Sequence, residues 1–239
     1  MIITDACWEE RNLGVSTVEI QYETNDKLED VASKIKTLSA KYIVCKIPTT
    51  KSELTSYVAK LGYTYVEDMI LVEHDLKEIE RSRMHQRLYD SMTYREMTKE
   101  DVEYLKKEIA GGLFSTDRIT NDPFFDNTKA SDRYLNWVND LVEQEAFFYL
   151  NLYKGDPAGF VILQTKDGIV YNSVLGGGYE KYRNTGLGIV QKEQEIVKRL
   201  GGKRVETQVS SNNPGQLRAL EINGYRTKGI NHIFVKHND

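Results

Sequence analysis

Residues 176–188, GGGYEKYRNTGLG, place five glycines and an arginine where a strand should meet a helix. A glycine inside a strand or helix lowers stability by about 0.5–1 kcal/mol relative to alanine, so five glycines in thirteen residues call for an explanation. IVYNSVL, just before it, predicts a strand, and the apolar stripe of residues 187–200 predicts a helix. The first turn of a helix offers unpaired N–H groups and the positive end of a dipole. The segment therefore predicts a phosphate-binding site, to which Arg183 adds charge.

The common phosphate motifs do not fit this stretch. It has no Gly-Lys-Ser/Thr, and GLGIVQ lacks the third glycine of a dinucleotide fingerprint. The pattern R-x-x-G-x-G at residues 183–188 resembles the signature of the GNAT acetyltransferase superfamily, which binds the diphosphate of coenzyme A. The resemblance implies acetyl-CoA as co-substrate and no metal. The cofactor-binding residues it implies are Gly176, Gly177, Gly178, Arg183, Asn184, Thr185, Gly186, Leu187, Gly188 and Asn213.

The resemblance also implies the fold. It is an α/β (α+β) GNAT fold, a mixed and mostly antiparallel central sheet flanked by helices, in which the strand before the signature splays from its neighbour. We expect the acetyltransferase domain over residues 86–239 and a partial GNAT-like unit over residues 1–85. The second expectation rests on a near-repeat, since residues 41–75 echo residues 203–238 with Gly-Tyr at the same place in each.

The catalytic residues depart from the family pattern. The usual tyrosine acid would stand at residue 220, which is Leu220 and cannot donate a proton. A nearby tyrosine (Tyr179 or Tyr182) could replace it, the thiolate could leave without a dedicated acid, or the site could have lost its chemistry. For the proton of the amine we expect a water relay at Glu206 or Asn172.

The acceptor site is expected over residues 114–137. Stretches such as CWEERNLGVSTVEI and DRITNDPFF resemble the bacterial type of GNAT enzyme that acetylates a dTDP-linked amino sugar. That resemblance implies the amine of a nucleotide-linked deoxy-amino sugar as acceptor. Of the residues expected to contact it, Arg118 could meet the nucleotide diphosphate, and Phe124, Phe125, Tyr134 and Trp137 could stack on a base or sugar.

Composition limits the other possibilities. The net charge of −4 argues against a nucleic-acid binder, although residues 176–239 carry +5 and the first 175 residues −9. The sequence has no long apolar stretch, so we expect no membrane partner. It has only two cysteines and no recognisable signal peptide, which suggests a cytoplasmic protein. We expect its partner to be a small molecule. A monomer and a homodimer both remain open. Two alternatives to the amino-sugar enzyme are an acetyltransferase of another amine and a CoA-binding protein without turnover.

Overall fold

The computed structural model describes residues 1–78, 81–183, 185, 187 and 189–238, with the Asn127 side chain left out. This part of the chain forms ten strands and eight α-helices. The strands are β1 (Ile2–Asp5), β2 (Thr17–Gln21), β3 (Tyr42–Pro48), β4 (Thr64–His74), β5 (Met92–Glu96), β6 (Phe147–Tyr153), β7 (Asp156–Thr165), β8 (Val170–Gly178), β9 (Arg204–Ser210) and β10 (Arg226–His237). The helices are α1 (Cys7–Leu13), α2 (Leu28–Ile35), α3 (Ser52–Lys60), α4 (Arg83–Asp90), α5 (Lys99–Ala110), α6 (Asn127–Glu143), α7 (Ile189–Arg199) and α8 (Pro214–Ile222).

All ten strands form a single sheet in the order β1-β2-β3-β10-β4-β9-β8-β7-β6-β5. The pairs β2–β3 and β8–β9 are parallel, and every other neighbouring pair is antiparallel. The predicted mixed, mostly antiparallel sheet flanked by helices is confirmed.

The near-repeat corresponds to two strand–helix–strand units, β3-α3-β4 and β9-α8-β10. Gly62 and Gly224, which follow their helices, both have left-handed φ, 82° and 80°. Such angles favour glycine, which accounts for the shared Gly-Tyr landmark.

The two units exchange their last strands. β3 pairs with β10 of the other unit, β9 pairs with β4, and β4 and β10 pair with each other at the centre. When Gly62 is aligned with Gly224, Met69 is equivalent to Asn231 and Pro48 to Ser210. The pair Met69–Ser210 between β4 and β9 is therefore equivalent to the pair Asn231–Pro48 between β10 and β3. An approximate two-fold axis between β4 and β10 therefore relates the units, and each completes the sheet of the other.

Two helical layers cover the sheet. On one face α7 and α8 pack on β8 and β9 through Val190, Ile196 and Leu220. On the opposite face α5 and α6 pack on β6, β7 and β8 through residues that include Leu105 and Val138. The sequence of each helix explains its face, because its apolar residues recur at three- and four-residue spacing.

Residues 76–91, here called the connector, join the two parts of the chain. They are strongly charged and have few apolar anchors, yet they contain α4. The Ser82 side chain caps this helix by accepting from the His85 N–H. Tyr89 then fixes α4 to α7 by donating to the Glu195 carboxylate at 2.6 Å.

Within the described part of the chain, no helix has the length and apolar character that crossing a membrane requires.

The strand exchange predicts that the C-terminal part cannot fold alone. A chain beginning at Arg81 lacks β3 and β4, so β9 loses one neighbouring strand, β10 loses both, and their edges are left unpaired. We expect this truncated chain to show no cooperative unfolding transition when urea denaturation is monitored by circular dichroism. Co-expression with residues 1–80 should restore the cooperative transition. Cooperative unfolding of residues 81–239 by themselves would contradict the exchange.

Candidate functional site

The parallel strands β8 and β9 separate soon after they meet. They pair only at Val170–Arg204, Tyr171–Val205 and Asn172–Glu206, although both strands continue beyond. β8 stays paired with β7 as far as Gly178–Gly159. A wedge-shaped opening, here called the wedge, therefore lies between β8 and β9 beyond Asn172, as predicted.

A β-bulge in β8 explains the wedge. Ile162 of β7 is opposite Leu175 and Leu163 is opposite Ser173, so Val174 is an extra residue without its own partner. A bulge bends its strand and increases its twist, which turns β8 away from β9. At the narrow end, the Thr207 hydroxyl donates to the Ser173 carbonyl at 2.8 Å and replaces the first missing main-chain bond.

The N-terminal unit contains a closed version of the same strand pair. β2 and β3 are its counterparts of β8 and β9, and they pair without a shift from Thr17–Tyr42 to Gln21–Lys46. The Tyr22 N–H then bonds the Lys46 carbonyl at 3.0 Å and extends the pairing further. Of these two strand pairs, both fully described, only β8 and β9 separate into a wedge.

The glycines of the predicted site differ in how much space a side chain would have at each position. A Cβ on Gly176 would lie 3.3 Å from the Phe160 carbonyl oxygen, whereas one on Gly177 would have no atom within 4 Å. The most restricted glycine is Gly159 on β7, where a Cβ would be 2.4 Å from the Gly177 oxygen. Protein packing therefore explains Gly159 but leaves Gly177 beside open space.

The signature segment is only partly described. Asn184, Gly186 and Gly188, predicted to bind the cofactor, lie outside the described residues. Arg183 donates to the Leu113 carbonyl at 2.8 Å and pairs with Glu180 at 3.1 Å. Its guanidinium is partly exposed and ties the signature to the loop after α5. Leu187 is half-buried and lies just before α7.

Two other predicted cofactor residues have local structural contacts. The Thr185 hydroxyl donates to the Tyr182 carbonyl at 2.7 Å, within the turn of the signature. The Asn213 side chain caps α8 by accepting from the Gln216 N–H at 3.1 Å. Asn213 thus positions the start of α8.

The two candidates for the proton relay lie side by side at the narrow end of the wedge. Asn172 and Glu206 are paired in register, and their neighbours Tyr171 and Val205 face α7. Because side chains alternate along a strand, Asn172 and Glu206 belong to the face of α5 and α6. Glu206 accepts from Lys228 at 2.8 Å, so its carboxylate already has a cationic partner.

Leu220 is a core residue. It is 1% exposed and packs with Val209 and Tyr225 between α8 and the sheet. The two tyrosines proposed as substitute acids have structural contacts of their own. Tyr179 is buried against Phe160, and the Tyr182 hydroxyl donates to Asp156 at 3.2 Å. The structure gives neither tyrosine the place of the missing acid.

Sequence reasoning missed a buried carboxylate beneath the wedge. Glu193 of α7 accepts hydrogen bonds from the Tyr225 hydroxyl and, at 2.7 Å, from Ser173. Burial raises the pKa of Glu193, and these two hydroxyl donors only partly offset the effect. The network fixes Ser173, the residue before the bulge. The counterparts of Tyr225 and Thr207 in the closed unit are Tyr63 and Cys45, which pack in an apolar cluster.

The predicted acceptor residues are mostly structural, and Arg118 is the clearest correction. Expected to meet a diphosphate, it is 8% exposed and donates to Glu9 at 2.6 Å and to Glu19 at 2.8 Å. Burial opposes ionisation of Glu19, but Arg118 and Lys46 lower its pKa to about 2. The loop after α5 is thereby fastened to β2 and α1 of the N-terminal unit.

The aromatic candidates divide into core and surface. Tyr134 is buried and stacks on Phe114 at 4.3 Å, and the half-buried Trp137 packs beside it, so these two belong to the α6 core. Phe125 packs against Tyr42. Phe124 is 72% exposed, although its ring lies over His237 at 4.0 Å. Phe124 is thus the one aromatic candidate that the described structure leaves accessible.

No cluster of three or more histidine, cysteine or acidic residues suited to a metal occurs within the described ranges.

No protein-family model matches this sequence, and no curated protein matches it. Solved structures do match. A GCN5-related N-acetyltransferase from Sphaerobacter thermophilus has a TM-score of 0.66 and 15% identity, covering 98% of this chain and 76% of that one. A tandem GNAT protein from the clavulanic acid biosynthesis pathway has a TM-score of 0.55 and 10% identity, with 92% and 75% coverage.

The chain has the GNAT fold.

A third neighbour of this fold is a GCN5-related glucosamine N-acetyltransferase region in a fungal β-N-acetylglucosaminidase. Its TM-score is 0.58 and its identity 14%, covering 87% of this chain and 27% of that one.

The ion pairs of Arg118 predict a structural role for it. Arg118→Ala leaves Glu9 and Glu19 buried with less compensation, and we expect a loss of about 3–5 kcal/mol in the free energy of unfolding. Urea denaturation measures this. Arg218→Ala, on the exposed surface of α8, is the control and should change stability by no more than about 0.5 kcal/mol. An Arg118 variant of unchanged stability would return this residue to the ligand-contact role.

The raised pKa of Glu193 predicts a pH-dependent contribution to stability. The folded protein retains a proton that the unfolded chain, with a pKa near 4.5, releases. The contribution is therefore present at low pH and lost as pH rises through the folded pKa. We expect the stability advantage of wild type over Glu193→Gln to fall as the pH rises above about 4.5. Urea denaturation at a series of pH values above this point tests it, with Glu221→Gln as control; a constant difference would contradict it.

Proposed function

We propose that this chain is an N-acetyltransferase that moves an acetyl group from acetyl-CoA to an amine by direct transfer. The observation that carries the proposal is the wedge, followed at once by a signature segment and a helix N-terminus. A strand edge without a partner normally costs stability or invites another strand, so an opening inside a sheet needs an occupant. The pantetheine arm of CoA, with its two amide groups, has the chemistry to occupy it.

The residues present fit the donor. The β9-facing edge of β8 beyond Asn172 has no strand beside it, and Gly177 borders open space. The residues that would hold CoA are those of the β8 end, Gly176–Gly178, and of the signature, Arg183–Gly188. Acetyl-CoA supplies a thioester whose carbonyl carbon an amine can attack.

The chain would support this reaction in two ways. Main-chain N–H groups along the open edge of β8 can stabilise negative charge on the carbonyl oxygen, as an oxyanion hole does. Asn172 and Glu206 at the narrow end can hold a water that accepts the proton of the amine. Neither Tyr179 nor Tyr182 replaces the missing tyrosine, so in this proposal the thiolate leaves without a dedicated acid. A thiol with a pKa near 8.5 is a fair leaving group.

For the acceptor we propose the amine of a nucleotide-linked deoxy-amino sugar. The resemblance of the acceptor region supports it, as does the name of a neighbour of this fold, which includes glucosamine. Arg118 no longer supports a diphosphate contact, whereas Phe124 stays accessible for stacking. A different amine is the alternative. Leu220, buried where an acid would stand, favours a second candidate, a CoA-binding protein without turnover.

Release of free thiol from acetyl-CoA tests the proposal. The acceptors compared are dTDP- and UDP-linked amino sugars, free glucosamine, polyamines and amino acids. Turnover with nucleotide sugars supports the full proposal, and turnover only with other amines supports transfer to a different acceptor. Tight CoA binding without thiol release from any acceptor would leave the non-catalytic candidate.

Glu206→Gln tests the relay in the same assay. We expect kcat to fall about 100-fold with little change in the KM for acetyl-CoA, because proton acceptance is lost and the wedge is retained. Glu221→Gln on α8 is the matched control. An unchanged kcat would remove Glu206 from the mechanism without affecting the assignment of the wedge.

A further inference from the structure

The bonded side chains of Ser173, Glu193 and Tyr225, here called the hydroxyl network, begin next to the residue where an acid is missing. The Tyr225 and Ser173 hydroxyls both bond to the Glu193 carboxyl group, the second at 2.7 Å. The Tyr225 N–H donates to the Leu220 carbonyl at 3.1 Å. Because Leu220 cannot donate a proton, the proton for the leaving thiolate has to come from water or from another hydroxyl.

Ser173 is the end of the hydroxyl network that meets the wedge. The pairing of β8 with β9 stops one residue earlier, at Asn172, and the bulge at Val174 follows one residue later. Ser173 therefore places a hydroxyl at the narrow end of the wedge, whereas the signature segment follows the wide end. If the signature holds the diphosphate of CoA, the thiol end of the pantetheine arm points toward Ser173.

Glu193 is suited to supply a proton to Ser173. Burial raises its pKa, and only the Tyr225 and Ser173 hydroxyls offset this effect, so the folded protein retains the proton to a higher pH than an exposed glutamate does. The other titratable group beside the network is His74, whose ring lies 5.3 Å from the Tyr225 ring. Burial lowers the pKa of His74, so it adds no positive charge at pH 7 that would favour the carboxylate.

The protonation state of Glu193 decides where the Ser173 hydroxyl can donate. An ionised carboxylate only accepts, so Ser173 and Tyr225 both donate to it. A protonated carboxyl group has one O–H of its own, which can donate to the Ser173 oxygen. The Ser173 hydroxyl is then released to donate into the wedge.

The closed strand pair shows that packing of the strands does not require this hydroxyl. When the pair Thr17–Tyr42 is aligned with Val170–Arg204, Ile20 is equivalent to Ser173. Ile20 packs in the same apolar cluster as Tyr63, the counterpart of Tyr225. Where the strands stay paired, an apolar side chain thus fills the position, and the hydroxyl occurs where they open.

We propose that Ser173 protonates the sulfur of the leaving CoA and that Glu193 resupplies the proton through Ser173. This proposal rests on the proposed function and replaces the unassisted departure of the thiolate with an assisted one. As the carbon–sulfur bond of the thioester breaks, Ser173 gives its hydroxyl proton to the sulfur and takes the carboxyl proton of Glu193. Glu193 is left as a carboxylate, and water returns its proton after CoA leaves. The proton of the amine departs separately through the relay at Asn172 and Glu206, so the protons balance.

Infrared difference spectroscopy of the intact chain tests the proton on Glu193 without turnover. At the pH of the transfer assay, we expect wild type to show the C=O stretch of a protonated carboxyl group that Glu193→Gln lacks. CoA should shift this band, because its sulfur bonds to the Ser173 hydroxyl, whereas desulfo-CoA, which lacks the sulfur, should not. Ser173→Ala should lose the CoA-dependent shift, and the control Glu221→Gln should keep both the band and the shift.

The thiol-release assay tests the same groups during turnover. We expect Ser173→Ala and Glu193→Gln each to lower kcat about 10- to 100-fold, with the KM for acetyl-CoA changed by no more than about twofold. Ser173→Thr, which keeps a hydroxyl, should retain kcat to within about threefold of wild type. Glu221→Gln is again the control.

Several results would overturn the proposal. These are a spectrum with no band that depends on Glu193, equal band shifts with CoA and desulfo-CoA, and an equal loss of kcat in Ser173→Ala and Ser173→Thr, which would indicate a structural role. If CoA does not bind or no acceptor is acetylated, the proposed function fails and this proposal fails with it. If acetyl transfer proceeds and Ser173→Ala is fully active, only the role of Ser173 and Glu193 fails.

Discussion

The early separation of two parallel strands is the constraint on which the rest of this site depends. β8 must keep its bonds to β7 while giving up those to β9, and one extra residue at Val174 achieves both. The bulge turns β8 away from β9, whereas the pairing of β8 with β7 continues past it. Gly159 then has to be glycine, because β7 approaches the bent segment too closely for a side chain.

The closed strand pair of the N-terminal unit shows which side-chain contacts accompany continued pairing of the two strands. Where β2 and β3 continue to pair, Tyr63 and Cys45 complete an apolar cluster. Where β8 and β9 part, the equivalent Tyr225 and Thr207 bond to Glu193 and to the Ser173 carbonyl. Buried hydroxyls and a carboxylate are costly unless they satisfy one another. Here they hold the strand just before the bulge, so the open form is maintained by side chains in place of main-chain pairing.

The sequence predicted local features well and long-range ones poorly. Strand alternation and the helical stripe of α7 depend on residues close together in the chain, and both are present in the structure. Arg118 was misjudged because its partners Glu9 and Glu19 lie about a hundred residues away, where no periodicity connects them. Glu193 was missed because a carboxylate in a charged helix is usually exposed. Its only signal was its position one helical turn before Ile196 and Val197, on the apolar stripe.

The strand exchange gives the N-terminal unit a part in the site. β4 supports β9, one wall of the wedge, and Glu67 of β4 accepts from Ser210 at the far end of that strand. Burial raises the pKa of Glu67, and the Ser210 hydroxyl offsets this effect only in part. Arg118 fastens the loop expected to face the acceptor to β2 and α1 of the same unit. The N-terminal unit therefore holds in place both one wall of the wedge and the loop after α5. In this chain the first unit acts as a structural element of the second.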